Sequence, residues 1–316
     1  ERVIDIHPFL RTLLVKGMLV PFRAPKSAKL YKAIWSDKTG SPLLRYSKLQ
    51  QSLLQERLGD EYLVDLGMRY QNPSIEEALN RLLAANVDHI TVIPLFPQYA
   101  SASSGSVYQE VMRVLANRAV IPGLSFVNSF HDNELMIGAF AENGRIFKPQ
   151  EYNHILFSFH GVPKRHLRKA GCNDSHDHEG ICCKGLTDLN KDCYAAQCHD
   201  TARLIAARLD LTDSQYSVSF QSRLGNDPWI EPYTSRVLTE LARSGKKRVL
   251  VFCPAFVSDC LETIYEIREE GLETFQKFGG VELDLVPSLN DSATWIEALA
   301  GLAIKNSPVT EYAFEY

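Results

Sequence analysis

The chain has 316 residues, 45% of them hydrophobic and 23% charged, an ordinary globular composition that excludes disordered, collagen-like and small cystine-stapled proteins. A net charge of −4 argues against nucleic-acid binding, and seven unevenly spread cysteines, an odd number, point to a reducing compartment, the cytoplasm. No run approaches the roughly 20 apolar residues that span a bilayer, and the first residues do not read as a secretory signal, so a soluble protein is expected.

Between Asp5 and Asp37 there is no acidic residue, while Arg11, Lys16, Arg23, Lys26, Lys29 and Lys32 lie among many apolar side chains. Such a segment either rests on an anionic membrane surface or holds an acidic ligand, or it is a partly buried helix whose lysines snorkel. Further along, β-rich runs at 62–67, 89–95, 124–128, 154–160, 216–221, 248–253 and 282–287 alternate with helix-period stretches at 74–86, 104–117, 132–145, 194–209, 231–244, 258–278 and 292–304. The alternation predicts an α/β fold of βαβ units with parallel sheets. Residues 92–99 (Val-Ile-Pro-Leu-Phe-Pro-Gln-Tyr) and 251–257 (Val-Phe-Cys-Pro-Ala-Phe-Val) repeat one arrangement, a buried strand leaving through a Pro/aromatic loop into a helix. Two similar halves follow, 1–150 and 151–316, divided in the polar stretch 148–153, with ligands expected beyond the carboxyl ends of the strands. The segment 169–193 breaks the rhythm and is dense in Cys, His, Asp and Gly, which reads as an inserted loop ordered by metal.

Four groups of residues can carry chemistry. His160 ends a predicted strand before Gly161-Val-Pro163; it is a general base or metal ligand, or else a strand-end histidine satisfied by backbone. Glu262 and Glu266 stand i,i+4 and share a helix face that Asp259, Glu269 and Glu273 continue, a row that binds cations or protons or is a solvated face. Arg69 and Tyr70 after a predicted strand, Tyr99, and the serines Ser101, Ser103, Ser104 and Ser106 offer a carboxylate grip and an anion-binding helix start, or ordinary turn and capping chemistry; Trp229 adds a loop aromatic. Cys172, Cys182, Cys183, Cys193 and Cys198 lack the paired hooks of zinc ribbons and match neither common ferredoxin spacing, leaving an iron–sulfur cluster, a zinc site with His176 and His178, or unliganded thiols.

Taken together, Gly67-Met-Arg-Tyr70, Pro97-Gln-Tyr99 with its serines, Ser158-Phe-His-Gly-Val-Pro163, Phe220-Gln-Ser-Arg223 with Pro228-Trp229, and Asp259-Cys-Leu-Glu-Thr-Ile-Tyr-Glu266 resemble the ferrochelatases over nearly the whole chain. That family inserts Fe2+ into protoporphyrin IX at the last step of haem biosynthesis, between two similar Rossmann-like halves. The resemblance implies that His160 is the active-site histidine, Glu262 the essential glutamate and Glu266 part of the acidic row, with His160 and Glu262 contacting the substrate Fe2+. It makes Arg69, Tyr70, Tyr99, Ser101 and Trp229 porphyrin-pocket residues, and the basic first segment a lip in peripheral contact with the cytoplasmic membrane surface. A family strand ending in an Asn-Leu-Gly-Thr-Pro-like turn has no counterpart here: either the sequence at hand begins past it or one wall of the pocket is incomplete, and no residue is assigned to that wall. The cysteine-rich insertion resembles a bacterial subset that carries a [2Fe–2S] cluster, implying Cys172, Cys182, Cys183 and Cys193 as ligands with Cys198 as the alternative. Handover of porphyrin from the preceding oxidase and a homodimer are further expectations. A related cobalt or nickel chelatase, or a haem- or metal-binding protein without catalysis, is the alternative; acidic Glu262 and Glu266, where cobalt and nickel enzymes tend to use histidine pairs, favour iron.

Overall fold

A computed structural model of the chain describes residues 20–170, 183, 185–223, 225 and 227–308. The first half runs α1 (Val20–Ile34), α2 (Pro42–Leu58), α3 (Ile75–Ala84), β1 (His89–Val92), α4 (Ser104–Leu115), β2 (Gly123–Phe126) and α5 (Glu134–Arg145). The second runs β3 (His154–His160), α6 (Lys164–Lys169), α7 (Tyr194–Arg208), β4 (Tyr216–Gln221), α8 (Thr234–Arg243), β5 (Arg248–Phe252), α9 (Leu261–Thr263), a π-helix (Ile264–Gly271), α10 (Leu272–Lys277), β6 (Glu282–Leu285) and α11 (Ala293–Asn306). The fold is α/β, with two parallel sheets flanked by helices: β1 beside β2, and a four-stranded sheet ordered β4-β3-β5-β6. A helical turn at Pro149–Glu151 marks the passage between halves.

β3 is central in its sheet and buried on both faces, so its sequence reads as a nearly continuous apolar run; His160 alone, at its carboxyl end, reaches the edge of the core. The stretch 62–67 was expected to be a strand, and among the described residues it is not one. Its backbone groups are taken instead by glutamine side chains of α2: Gln55 Oε1 accepts from Val64 N–H at 2.8 Å, and Gln51 Nε2 and Gln55 Nε2 donate to the carbonyls of Val64 and Tyr62 at 3.2 and 2.9 Å. Those bonds satisfy the donors and acceptors that a neighbouring strand would otherwise meet. α2 itself opens with Pro42 in its first turn, where the missing N–H costs nothing.

The halves share one core. Met136 and Phe140 of α5 pack in the same cluster as Phe157, Phe252 and Trp295. Gly144 is required on α5, because a Cβ there would run into the Phe252 ring of β5. α11, though late in the chain, returns to pack on α2 and α5, with Trp295 fully buried and its ring 5.8 Å from that of Phe130.

The predicted helix 258–278 departs from expectation in winding. Ser258 and Asp259 do not cap it: Gln50 Nε2 donates to Ser258 Oγ at 2.9 Å, and regular helix begins only at Leu261. After one turn the chain widens into the eight-residue π-helix before α10 resumes α winding. The wider i→i+5 pattern changes which side chains share a face, a common device at functional sites.

Of the basic first segment, Arg11 and Lys16 lie outside the described residues; Lys29 and Lys32 are exposed on α1. No helix among the described residues is long and apolar enough to cross a membrane.

Candidate active site

The site is built on the carboxyl edge of the four-stranded sheet. His160 closes β3, and its Nδ1 lies 2.6 Å from the Gly161 carbonyl oxygen, which fixes Nδ1 as the protonated nitrogen and leaves the Nε2 lone pair for other work. Burial holds its pKa below the ordinary histidine value, opposed by the Gly161 bond and the nearby Glu262 charge, so the ring is neutral at pH 7. Gly161 cannot be larger: a Cβ would sit 2.9 Å from the Gln221 carbonyl oxygen and 3.1 Å from Trp229 Cε3. The Trp229 and Phe256 rings flank the imidazole at centroid distances of 6.3 and 6.2 Å. Trp229 is buried, and its indole N–H has no hydrogen-bond partner among the described residues.

Glu262 lies in α9, and its carbonyl oxygen accepts from Gln221 Nε2 at 2.7 Å, tying the helix start to the end of β4. Glu266 follows in the π-helix, where Oε2 accepts from Ser222 Oγ at 2.5 Å. Ser222 has a φ of 66°, a left-handed conformation uncommon outside glycine, and it is this turn that brings the hydroxyl to the carboxylate. Burial raises the Glu266 pKa; repulsion from Glu262 and Glu270 adds to it, and the Ser222 and Gln221 bonds oppose it.

The acidic row therefore differs from the expected one. Glu266 is within electrostatic reach of both Glu262 and Glu270, four residues to either side of it. Asp259 is turned into the protein, where Oδ1 accepts from Thr263 Oγ1 (3.1 Å) and Ser288 N–H (3.2 Å) and Oδ2 from Asn290 Nδ2 (2.8 Å). Glu269 and Glu273 line a separate cavity of about 340 Å³ with Tyr265 and Ala33. The four-residue spacing of Glu262, Glu266 and Glu270 is ordinary helical spacing; the widened turn, which an α-helical projection of Glu269 and Glu273 ignores, leaves no mark in the sequence.

Two further residues stand near Glu262: Tyr31, which escaped sequence reasoning, and Cys260, which was read only as part of the Asp259–Glu266 motif. The Tyr31 hydroxyl of α1 is raised in pKa by burial, then by the charges of Glu262 and Cys260. The buried Cys260 thiol is raised by burial and by Glu262, to which it is hydrogen-bonded. An aromatic phenol in an otherwise basic segment was the one available signal for Tyr31.

The first-half candidates lie before and within α4 and its preceding loop. Arg69 is committed to α4: Nε donates to Ser106 Oγ at 2.8 Å and to Ser106 O at 3.1 Å, Nη1 is 3.9 Å from Glu110, and the guanidinium lies 4.8 Å from the Tyr70 ring centroid. This engagement is with protein; a grip on a ligand carboxylate is not needed to explain the residue. Tyr70 is exposed, and Tyr99 and Ser101 are half-buried in the turn before α4. The Pro97-Gln-Tyr99 loop reaches the second half, with Tyr99 N–H donating to Gln197 Oε1 at 2.7 Å and Gln98 Nε2 to the Pro254 carbonyl at 3.4 Å.

Among the described residues no group of three or more His, Cys, Asp and Glu is arranged to hold a metal ion. Of the five insertion cysteines, Cys172 and Cys182 lie outside the described residues. Cys183 is buried, Cys193 caps α7 and Cys198 is fully buried one turn on. Burial raises the Cys198 pKa well above the ordinary thiol value, and the nearness of Cys193 and Cys183 adds to it.

Known proteins are similar to this chain in sequence and in fold. The family model described as Ferrochelatase matches residues 1–307. The chain belongs to the ferrochelatase family. It is 43% identical over 307 residues to the ferrochelatase of Legionella pneumophila strain Lens, covering 96% of this chain and 89% of that one. It is 42% identical over 305 residues to the ferrochelatase of Coxiella burnetii strain RSA 493 / Nine Mile phase I, covering 96% and 85%. In structure it is similar to SirB from Bacillus subtilis with Fe3+, with a TM-score of 0.55, 13% identity and coverage of 87% of this chain and 95% of SirB, a likeness of fold alone. Membership of the ferrochelatases makes the chain a metallochelatase of the lyase class, with Fe2+ and a porphyrin as substrates and haem as product.

Proposed function

We propose that the chain inserts Fe2+ into protoporphyrin IX with neutral His160 as the acceptor of pyrrole protons and the Glu262–Glu266–Glu270 row as their exit. The observation that carries this is the fixed tautomer of His160 in a buried, carboxylate-flanked setting. Insertion removes two protons from the ring nitrogens and places Fe2+ between them, so charge balances as haem and two released protons form. His160 Nε2 takes a pyrrole proton; the Glu262 carboxylate stabilises the imidazolium and accepts the proton in turn. Glu266, whose raised pKa suits it to hold a proton transiently, passes it toward Glu270, which is exposed. Glu262 also offers the arriving Fe2+ a hard oxygen donor beside an imidazole. Arg69, Tyr70, Tyr99, Ser101 and Trp229 are read as the porphyrin walls, and binding energy spent bending the ring toward the metallated shape lowers the barrier. His160→Ala should abolish insertion while porphyrin still binds, measured anaerobically with protoporphyrin and coproporphyrin in parallel; near-normal turnover of the variant overturns the assignment. Cobalt supplied in place of iron separates a cobalt chelatase, and haem formation without turnover separates a binding protein.

A [2Fe–2S] cluster is proposed at Cys172, Cys182, Cys183 and Cys193, with Cys198 as the alternative ligand. Its support is the donor chemistry of the sequence, five cysteines within 27 residues, which suits a soft, thiolate-held group. Insertion transfers no net electrons, so when bound the cluster would stabilise the loop or sense iron and redox state. Anaerobically purified protein should be red-brown; colourless protein with one zinc per chain means the metal is wrong. The basic α1 segment is proposed to sit peripherally on the anionic cytoplasmic membrane surface, with sedimentation on anionic but not zwitterionic vesicles as the expected result.

A further inference from the structure

The opening turn of α7 is hydrogen-bonded to both walls of the cleft. Toward the second half, the Tyr194 hydroxyl donates to the His160 carbonyl oxygen at 2.6 Å, and it is also in hydrogen-bond contact with the Cys198 thiol. Toward the first half, Gln197 Oε1 accepts the Tyr99 N–H at 2.7 Å. The orientation of that amide is set by its other end, where Nε2 donates to the Lys191 carbonyl at 2.7 Å and to Ser129 Oγ at 3.4 Å. One turn further, Gln98 Nε2 donates to Thr201 Oγ1 at 3.0 Å, so two consecutive residues of the Pro97-Gln-Tyr99 loop are latched to one helix face. Tyr194 and Gln197 are buried, at 7% and 2% exposure, so neither bond is exchanged with water.

Filling space explains neither side chain. A phenylalanine would fill the Tyr194 site, but only a hydroxyl reaches the last carbonyl of β3, where strand pairing ends at the His160–Gln221 register. The imidazole grows from that same residue and is bound through Nδ1 to the next carbonyl, so displacing the His160 peptide displaces Nε2 with it. A leucine would match the bulk of Gln197, yet it would leave the buried Tyr99 N–H without an acceptor.

We propose that Tyr194 and Gln197 are positioning residues for iron insertion, Tyr194 aiming the His160 ring and Gln197 holding the Tyr99 loop against the porphyrin. The inference rests on the reading of His160 as proton acceptor and of Tyr99 as a porphyrin wall. Because the two residues serve different walls, their losses separate kinetically. Protein purified anaerobically with its cysteine site intact is assayed as Tyr194→Phe, Gln197→Leu, Gln197→Glu and His160→Ala, with porphyrin affinity read independently by fluorescence. Tyr194→Phe should lower kcat about tenfold and leave porphyrin KM within about twofold, the loss of one buried hydrogen bond at the reacting residue. Gln197→Leu should raise porphyrin KM and Kd about tenfold with little change in kcat, and Gln197→Glu, whose buried carboxyl is held protonated and so both accepts at Oε1 and donates to the Lys191 carbonyl, should restore them.

The inference is overturned if both variants lower kcat and raise KM alike, if either behaves as wild type, or if Gln197→Glu is no better than Gln197→Leu. It is overturned as well if the Tyr194→Phe loss merely tracks a loss of sulfur-to-metal absorbance. A Tyr194→Phe chain that does not fold passes the decision to the Gln197 pair, on the same two criteria. An active His160→Ala removes the reading on which the Tyr194 assignment rests, whereas an inactive His160→Ala beside a fully active Tyr194→Phe removes this inference alone.

Discussion

Asp259→Asn tests which carboxylates face the cleft. The native side chain is an acceptor for Thr263 Oγ1 and Ser288 N–H on one oxygen and for Asn290 Nδ2 on the other, all within a buried pocket at 9% exposure. An amide of the same size offers only one oxygen. With that oxygen toward Ser288, its NH2 meets the Asn290 NH2, donor against donor; with the amide flipped, the NH2 meets the Ser288 N–H. Turning Asn290 over does not help, because its Oδ1 already accepts the Asp259 N–H at 2.9 Å. Losing a hydrogen bond to a carboxylate costs about 1.5–3 kcal/mol, and a buried donor left unpaired costs about 1–3 kcal/mol more, so a loss of about 3 kcal/mol is expected. For a chain of this size that lowers Tm by about 4–5 °C. Thermal and urea melts measure it, with Fe2+ KM determined at a temperature where the variant is folded and expected to stay near wild type. An unchanged melt together with a large rise in Fe2+ KM would refute the structural role and return Asp259 to the metal row.

Ser222→Ala removes the 2.5 Å bond to Glu266 Oε2, so the Glu266 pKa should climb further and the acidic limb of the kcat–pH profile move to higher pH; an unchanged profile counts against Glu266 as a way-station. Gly161→Ala should destabilise by about 1–3 kcal/mol through contact with the Gln221 carbonyl and Trp229, and should lower turnover more than melting temperature suggests, as His160 moves with the displaced peptide. His154 and His199 are both held at about 4 by burial. Between the unfolded histidine pKa near 6.5 and that value, the unfolded chain binds protons that the native chain refuses. Stability is therefore full above about pH 6.5 and falls as pH drops toward 4, by up to about 1.4 kcal/mol per unit for each histidine. Urea melts at pH 7 and pH 5 should show the loss, and His154→Asn should flatten it; a slope the substitution leaves unchanged would rule His154 out as a contributor.

Strands buried on both faces were the most legible part of the sequence. The runs 154–160 and 216–221 match β3 and β4, because a continuous apolar stretch ending in a polar residue has few alternatives inside a parallel sheet. His160 was legible for the same reason, as the polar residue at the end of such a run. The stretch 62–67 has equal β character yet pairs with glutamines of α2, a tertiary outcome that local pattern does not encode. Glu262 and Glu266 were found from their spacing, but the row was extended to Asp259, which lies ahead of the helix and is turned into the protein, and to Glu269 and Glu273, which line a cavity with Tyr265 where the winding departs from 3.6 residues per turn. Tyr31 was missed because it is set beside Glu262 by packing between elements distant in sequence.

The return of α11 to the first half has a consequence for how the protein is made. The helices α2 and α5 leave the ribosome early, but the Trp295 face that covers them emerges only after almost the whole chain has been synthesised. Until then the first half carries an uncovered apolar seam. The repeated architecture of two α/β halves thus does not translate into two successive folding events; the seam between them closes last, and the nascent chain depends on protection from aggregation for most of its synthesis.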